Sequence, residues 1–168
     1  QDREGAKELM HILMRDTCRA LHKSHPEANV MIVAYGPTSK PPVTFKSYPD
    51  NALIQLASSD PAAYEKWEGV ATQFAAYVYY WTFANSRAMI GVSNLYDMAE
   101  HARGFIENGY KMLYFCGAPI NVPLEGPAAY ITGRVLKDPE LTADDLLEEL
   151  CSKMFGPAKD AMKAFYQG

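Results

Sequence analysis

AAYVYYWTF (75–83), SNLYDMAEHARGFIENG (93–109) and KMLYFCG (111–117) follow one another with short connections between them. The first and last are short apolar runs rich in aromatic and branched residues. Such runs read as strands covered on both faces. The middle piece opens on Ser93 and Asn94, either of which caps a helix, and closes on Asn108-Gly109, which stops one. A strand, a helix and a strand of these lengths form one βαβ unit, whose two strands lie parallel. The fold class is therefore α/β with a parallel sheet.

Working outward gives the other elements. Leu9, Ile12, Leu13, Cys18 and Leu21 recur at helical spacing, so residues 3–24 form a helix that His25-Pro26 ends. ANVMIVAYG (28–36) and ALIQLAS (52–58) are two further strands, joined by a Pro-rich connector. In 59–73, Asp60 caps a helix with Pro61 at its first position. Three helices close the chain at 126–136, 142–155 and 157–166. Four parallel strands make a small open sheet or half of an eight-stranded barrel, which takes about 250 residues. The half is favoured, because the 168 residues open on a long helix with no strand before it and end in what reads as the interior of a final helix. The expected organisation is one partial domain: a half-barrel over 1–137 followed by helices over 138–168.

Composition narrows the function. Net charge is −4, and the Lys and Arg residues are scattered, whereas a nucleic-acid surface needs a concentrated basic face. No apolar run is long enough to span a membrane, and there is no signal peptide. The first residue is Gln rather than Met, so the true start is expected upstream. Cys18, Cys116 and Cys151 fit neither a disulfide framework nor a metal-ligand spacing. His22 and His25 lie near each other at a helix end without an acidic or Cys partner. No glycine pattern for a nucleotide is present. No metal and no cofactor are expected.

VAYGPTSKPP (33–42), VYYWTFAN (78–85) and LEGPAAYITGRVLKDPELTADDLLEELCSKMFGPAKDAMKAFY (124–166) resemble the family called domain of unknown function 4838. Members of that family resemble glycoside-hydrolase barrels such as the family 20 hexosaminidases and the α-glucuronidases. The resemblance implies the C-terminal half of a TIM (β/α)8 barrel ending in extra helices, and a carbohydrate context. In the related hydrolases the acidic pair comes from the end of the fourth strand, which on this alignment lies upstream of residue 1. The resemblance also implies export to the periplasm or the cell exterior.

Parallel α/β barrels bind ligands at the C-terminal ends of their strands. The residues placed there are Tyr35, Gln55, Trp81, Asn85 and Asn121 as substrate-binding candidates, with Ser58 and Cys116 beside them. Sugars stack on aromatic rings and hydrogen-bond amides and hydroxyls. Trp81 is either such a platform or a core filler. Glu125 is the candidate acid or base, or else a carboxylate satisfied at a helix start. Glycoside cleavage needs two carboxylates about 5–10 Å apart, and this sequence offers no second one. The expected function is thus part of a glycoside-hydrolase-like barrel that acts on or binds carbohydrate. A non-catalytic glycan-binding barrel and a structural α/β domain remain as alternatives. A half-barrel would leave two sheet edges open, so the isolated chain is expected to self-associate.

Overall fold

The computed structural model describes residues 3–79, 95–116 and 122–167. The chain divides into two compact units, one of Gln1–Tyr79 with Asn108–Cys116 and one of Tyr80–Glu107 with Gly117–Gly168.

The first unit holds helix α1 (Arg3–Ser24) and strands β1 (Val30–Ala34), β2 (Ala52–Leu56), β3 (Gln73–Tyr79) and β4 (Met112–Cys116). The four strands form one sheet in the order β1-β2-β3-β4, every neighbouring pair parallel. The α/β class and the parallel sheet are as the sequence predicts, and the arrangement is compatible with half of a (β/α) barrel.

Register assigns each strand residue to a face, since paired residues point the same way. Val30↔Ala52, Ile32↔Ile54↔Phe74 and Ala34↔Leu56↔Ala76 share one face. Ile32, Ala34, Ala52, Ile54 and Leu56 are buried there with Cys18 of α1, Tyr48 of the β1–β2 connection and Trp67 of the β2–β3 connection. Helix α1 and both connections therefore cover the same face. That is compatible with the winding of a barrel wall, where right-handed crossovers between sequential strands all fall on one side.

The opposite face carries the odd-numbered residues of β1, β2 and β3 and the even-numbered residues of β4. Met31, Val33, Met112 and Tyr114 there are 48%, 42%, 40% and 51% exposed. The strands are apolar on both faces, as read from sequence, but among the described residues of this unit no helix packs on this face, although Gln55 and Ala75 at its centre are buried.

Helix α1 also departs from its periodic reading. Leu9 and Leu13, expected on the buried stripe, are 68% and 69% exposed. Lys7, Glu8 and His11 are buried in their place, beside Cys18 of the expected stripe. The β1–β2 connection is the reason. Glu8 Oε2 accepts hydrogen bonds from the Val43 and Thr44 amides at 3.0 and 3.1 Å and from Thr44 Oγ1 at 2.9 Å. Burial pushes the Glu8 carboxyl up, but these donors outweigh it and hold the group below its ordinary range. His11 Nδ1 lies 2.7 Å from the Tyr48 hydroxyl and Nε2 lies 3.1 Å from the Lys40 carbonyl oxygen. A carbonyl only accepts, so Nε2 carries the proton and Nδ1 receives the tyrosine's.

The expected helix over 59–73 is shorter, a 3-10 segment at Pro61–Trp67. Asp60 caps it by accepting from the Ala62 amide at 2.9 Å. Gly69, with φ +72, turns the chain out of it toward β3.

The second unit is helical among the described residues: α2 (Leu95–Glu107), α3 (Val122–Lys137), α4 (Ala143–Met154) and α5 (Lys159–Gln167). Its core joins Met98, Ala102, Ile131, Val135, Leu146 and Leu147. Helix α3 begins at Val122, ahead of the expected 126, since Pro123 is tolerated in a first turn. Glu148 and Glu149 bind neighbouring helices. Arg134 Nη1 of α3 donates to both Glu149 oxygens at 3.0 Å. Lys159 and Lys163 donate to Glu148 at 3.2 and 2.8 Å. Among the described residues no helix is long and apolar enough to cross a membrane.

Candidate functional site

The C-terminal ends of the strands bring together part of the expected set. Tyr35 follows β1 directly and is 63% exposed. Its position is fixed from below: Gly36 takes φ +54, a left-handed conformation that suits glycine. Thr38 Oγ1 lies 3.2 Å from the Val33 carbonyl and 3.1 Å from the Tyr35 carbonyl, and receives the Tyr35 amide at 3.4 Å. A cleft of about 560 Å³ opens beside this turn, lined by Glu4, Lys7 and Met10 of α1 and by Gly36, Pro37, Ser39 and Lys40.

Gln55 sits in β2 between Val33 and Ala75, on the uncovered face. It is 4% exposed. Ser59, three residues beyond β2, ties that loop to the end of β3. Its hydroxyl donates to the Tyr79 carbonyl at 3.0 Å and accepts from the Tyr79 amide at 3.1 Å.

Three tyrosines that sequence reading did not place in the site join Cys116, which it did. Tyr77 and Tyr79 share the face of Gln55, because Gln55 pairs with Ala75 and side chains alternate from there. Tyr114 and Cys116 pair with Tyr77 and Tyr79 and share that face too. The Tyr77 ring lies 5.0 Å from that of Tyr79 and 4.8 Å from that of Tyr114, centroid to centroid. Its hydroxyl donates to Cys116 Sγ at 2.8 Å. That bond, with burial second, pushes the Tyr77 phenol up to about 12. Burial and then the neighbouring Tyr35 push Tyr79 up as well. These phenols stay protonated across the physiological range and act as hydrogen-bond donors. Cys116 is half-buried and its sulfur is occupied as an acceptor. Parity along β3 was the signal that finds the tyrosines, but parity needs the register.

Trp81, Asn85 and Asn121 lie outside the described residues. Glu125 falls in the first turn of α3, and its side chain lies outside the described residues. Among the described residues no three of His, Cys, Asp and Glu gather closely enough to hold a metal ion.

The comparisons with known proteins agree with the motifs. A family model described as Domain of unknown function (DUF4838) matches residues 4–167. No curated protein and no solved structure matches this chain. With nearly all of its length matched by that one model, the chain belongs to the DUF4838 family.

Proposed function

We propose that this chain is the C-terminal half of a glycoside-hydrolase-like (β/α)8 barrel, which holds carbohydrate at the C-terminal ends of its strands. One observation carries the reading. Among the described residues of the first unit, a parallel sheet wound in sequential order has one face covered by α1 and the connections and leaves Met31, Val33, Met112 and Tyr114 exposed on the other. All-parallel sheets are covered on both faces, so this face is a barrel interior that another half closes. The exposed Leu9 and Leu13 of α1 support the same reading, as the surface a preceding helix would cover. In this half Tyr35, Gln55, Trp81, Asn85 and Asn121 are the residues proposed to bind the sugar, with Glu125 as the candidate acid or base. The acid and base that cleave the bond are expected in the half upstream. The family's link to glycoside hydrolases and the export of the protein belong to this proposal.

A second reading has an observation of its own. The strand residues on the bare face include no carboxylate, which suits a glycan-binding barrel without hydrolytic power. Fluorescence tests what the two readings share. Trp67 is 1% exposed and packs against His11, so it stays silent when oligosaccharide is added. Trp81 responds, and Trp81→Phe abolishes the response. A response that persists in Trp81→Phe would remove Trp81 from the site. Hydrolysis of an aryl glycoside by the longer protein, lost when upstream carboxylates are replaced, separates hydrolase from lectin.

A further inference from the structure

The bare face holds a feature that barrel closure alone does not explain. Eleven strand residues share it: Met31 and Val33, Leu53 and Gln55, then Gln73, Ala75, Tyr77 and Tyr79, and finally Met112, Tyr114 and Cys116. None of them is charged. Two are amides, and they differ. Gln73, at the N-terminal end, donates to Asn29 Oδ1 at 3.4 Å and to the Asp50 carbonyl. Gln55, toward the C-terminal end, is 4% exposed and makes no hydrogen bond among the described residues. Its in-ladder neighbours Val33 and Ala75 offer no polar side chain. The Gln55 amide atoms are not among the buried unpaired side-chain atoms of the described residues, so the amide reaches the open side of the sheet, where a ligand can meet it. Beside it stand the three tyrosine rings of β3 and β4. Tyr77 spends its hydroxyl on Cys116, while those of Tyr79 and Tyr114 make no hydrogen bond among the described residues.

We propose that Tyr77, Tyr79 and Tyr114 form a stacking platform for an uncharged pyranose ring, with the Gln55 amide as its hydrogen-bonding anchor. This deepens the carbohydrate reading and rests on it. The C–H face of a sugar packs on aromatic rings. The amide gives one acceptor oxygen and two donor protons, which suits vicinal hydroxyls, and the two free phenols add further partners. The absence of charge on this face sets the class of ligand. A hexuronate would bury its carboxylate against rings and amides with no cation on these strands to compensate.

Saturation-transfer NMR on the full chain tests this, with methyl glucoside, methyl galactoside and methyl mannoside as neutral probes and glucuronate and galacturonate as charged ones. At least one neutral glycoside is expected to receive saturation through its ring protons, and neither uronate. Gln55→Leu is expected to weaken binding at least tenfold, and so is Tyr114→Ala. Tyr114 is half exposed, so its replacement leaves the sheet folded even where Gln55→Leu does not. Uronates binding as well as neutral sugars would overturn the uncharged class. Neutral binding that survives Tyr114→Ala and a folded Gln55→Leu would overturn the platform while leaving the carbohydrate reading standing. No binding by any probe would overturn both.

Discussion

Replacing His11 with leucine tests whether the first unit is held together as described. His11 is fully buried, and its ring bridges α1 to the β1–β2 connection through Tyr48 and Lys40. Leucine has similar bulk, so no large cavity forms and the loss is polar. Tyr48 is 5% exposed, and in the variant its hydroxyl keeps only a 3.5 Å contact to the carbonyl of residue 11, so losing the ring partner costs about 1–3 kcal/mol. The Lys40 carbonyl sits on an exposed residue that water reaches, and adds about 1 kcal/mol or less. The total is about 1–4 kcal/mol, a fall in Tm of about 2–16 °C for a chain of this size. A pH signature accompanies it. Burial holds the His11 imidazole below its ordinary range, so the ring is neutral when folded and takes up a proton more readily when unfolded. Its contribution is complete above the unfolded value of about 6.5 and is lost as pH falls from there through the folded value. Urea unfolding at pH 8 to 5, followed by Trp67 fluorescence in a Trp81→Phe background, reads both effects. A loss below about 0.5 kcal/mol would refute the assignment. So would an equal pH dependence in His11→Leu and its parent.

Other outcomes follow from the same geometry. Gly36→Ala meets no neighbouring atom but must hold φ +54, so it is expected to destabilise by about 1 kcal/mol and to displace Tyr35, read by urea unfolding and sugar titration. A thiol reagent is expected to label Cys116 alone in the native chain and all three cysteines in denaturant, since Cys18 and Cys151 are buried; mass spectrometry of labelled peptides decides it. Leu147→Ala, at a fully buried position of the helical unit, is expected to cost about 2–5 kcal/mol. Glu148→Gln is expected to cost far less and to matter less in high salt, because the carboxylate is 43% exposed. Lys163 and Lys159 hold that carboxylate at about 2. Its contribution is therefore present above the unfolded value of about 4.3 and disappears as pH falls toward 2, which thermal melts of the two proteins compare.

The elements were legible because their boundaries carry local chemistry. Asp60-Pro61 opens a helical segment, Thr142 caps α4, and Gly109 ends the stretch that follows α2. The parallel order was legible from strand and helix lengths. What covers each surface was not. The stripe of Leu9 and Leu13 has the right period, yet polar partners at Val43, Thr44, Tyr48 and Lys40 draw the other side of α1 inward. Periodicity locates an apolar face without naming its partner. At the site, Tyr35 and Gln55 were readable as strand ends. Tyr77 and Tyr114 were not, because one residue of uncertainty in register moves a side chain to the opposite face, and only pairing with Gln55 through Ala75 fixes it.

The most direct test of the central claim is residue-resolved. Amide chemical shifts of the chain are recorded with and without a neutral oligosaccharide. Carbohydrate binding at the C-terminal ends of the strands predicts shifts at Tyr35, Gln55, Tyr79 and Cys116, with Val30, Ala52, Gln73 and Met112 at the opposite ends unmoved. Shifts confined to those opposite ends or to the helical unit, or no shifts at saturating sugar, would contradict it.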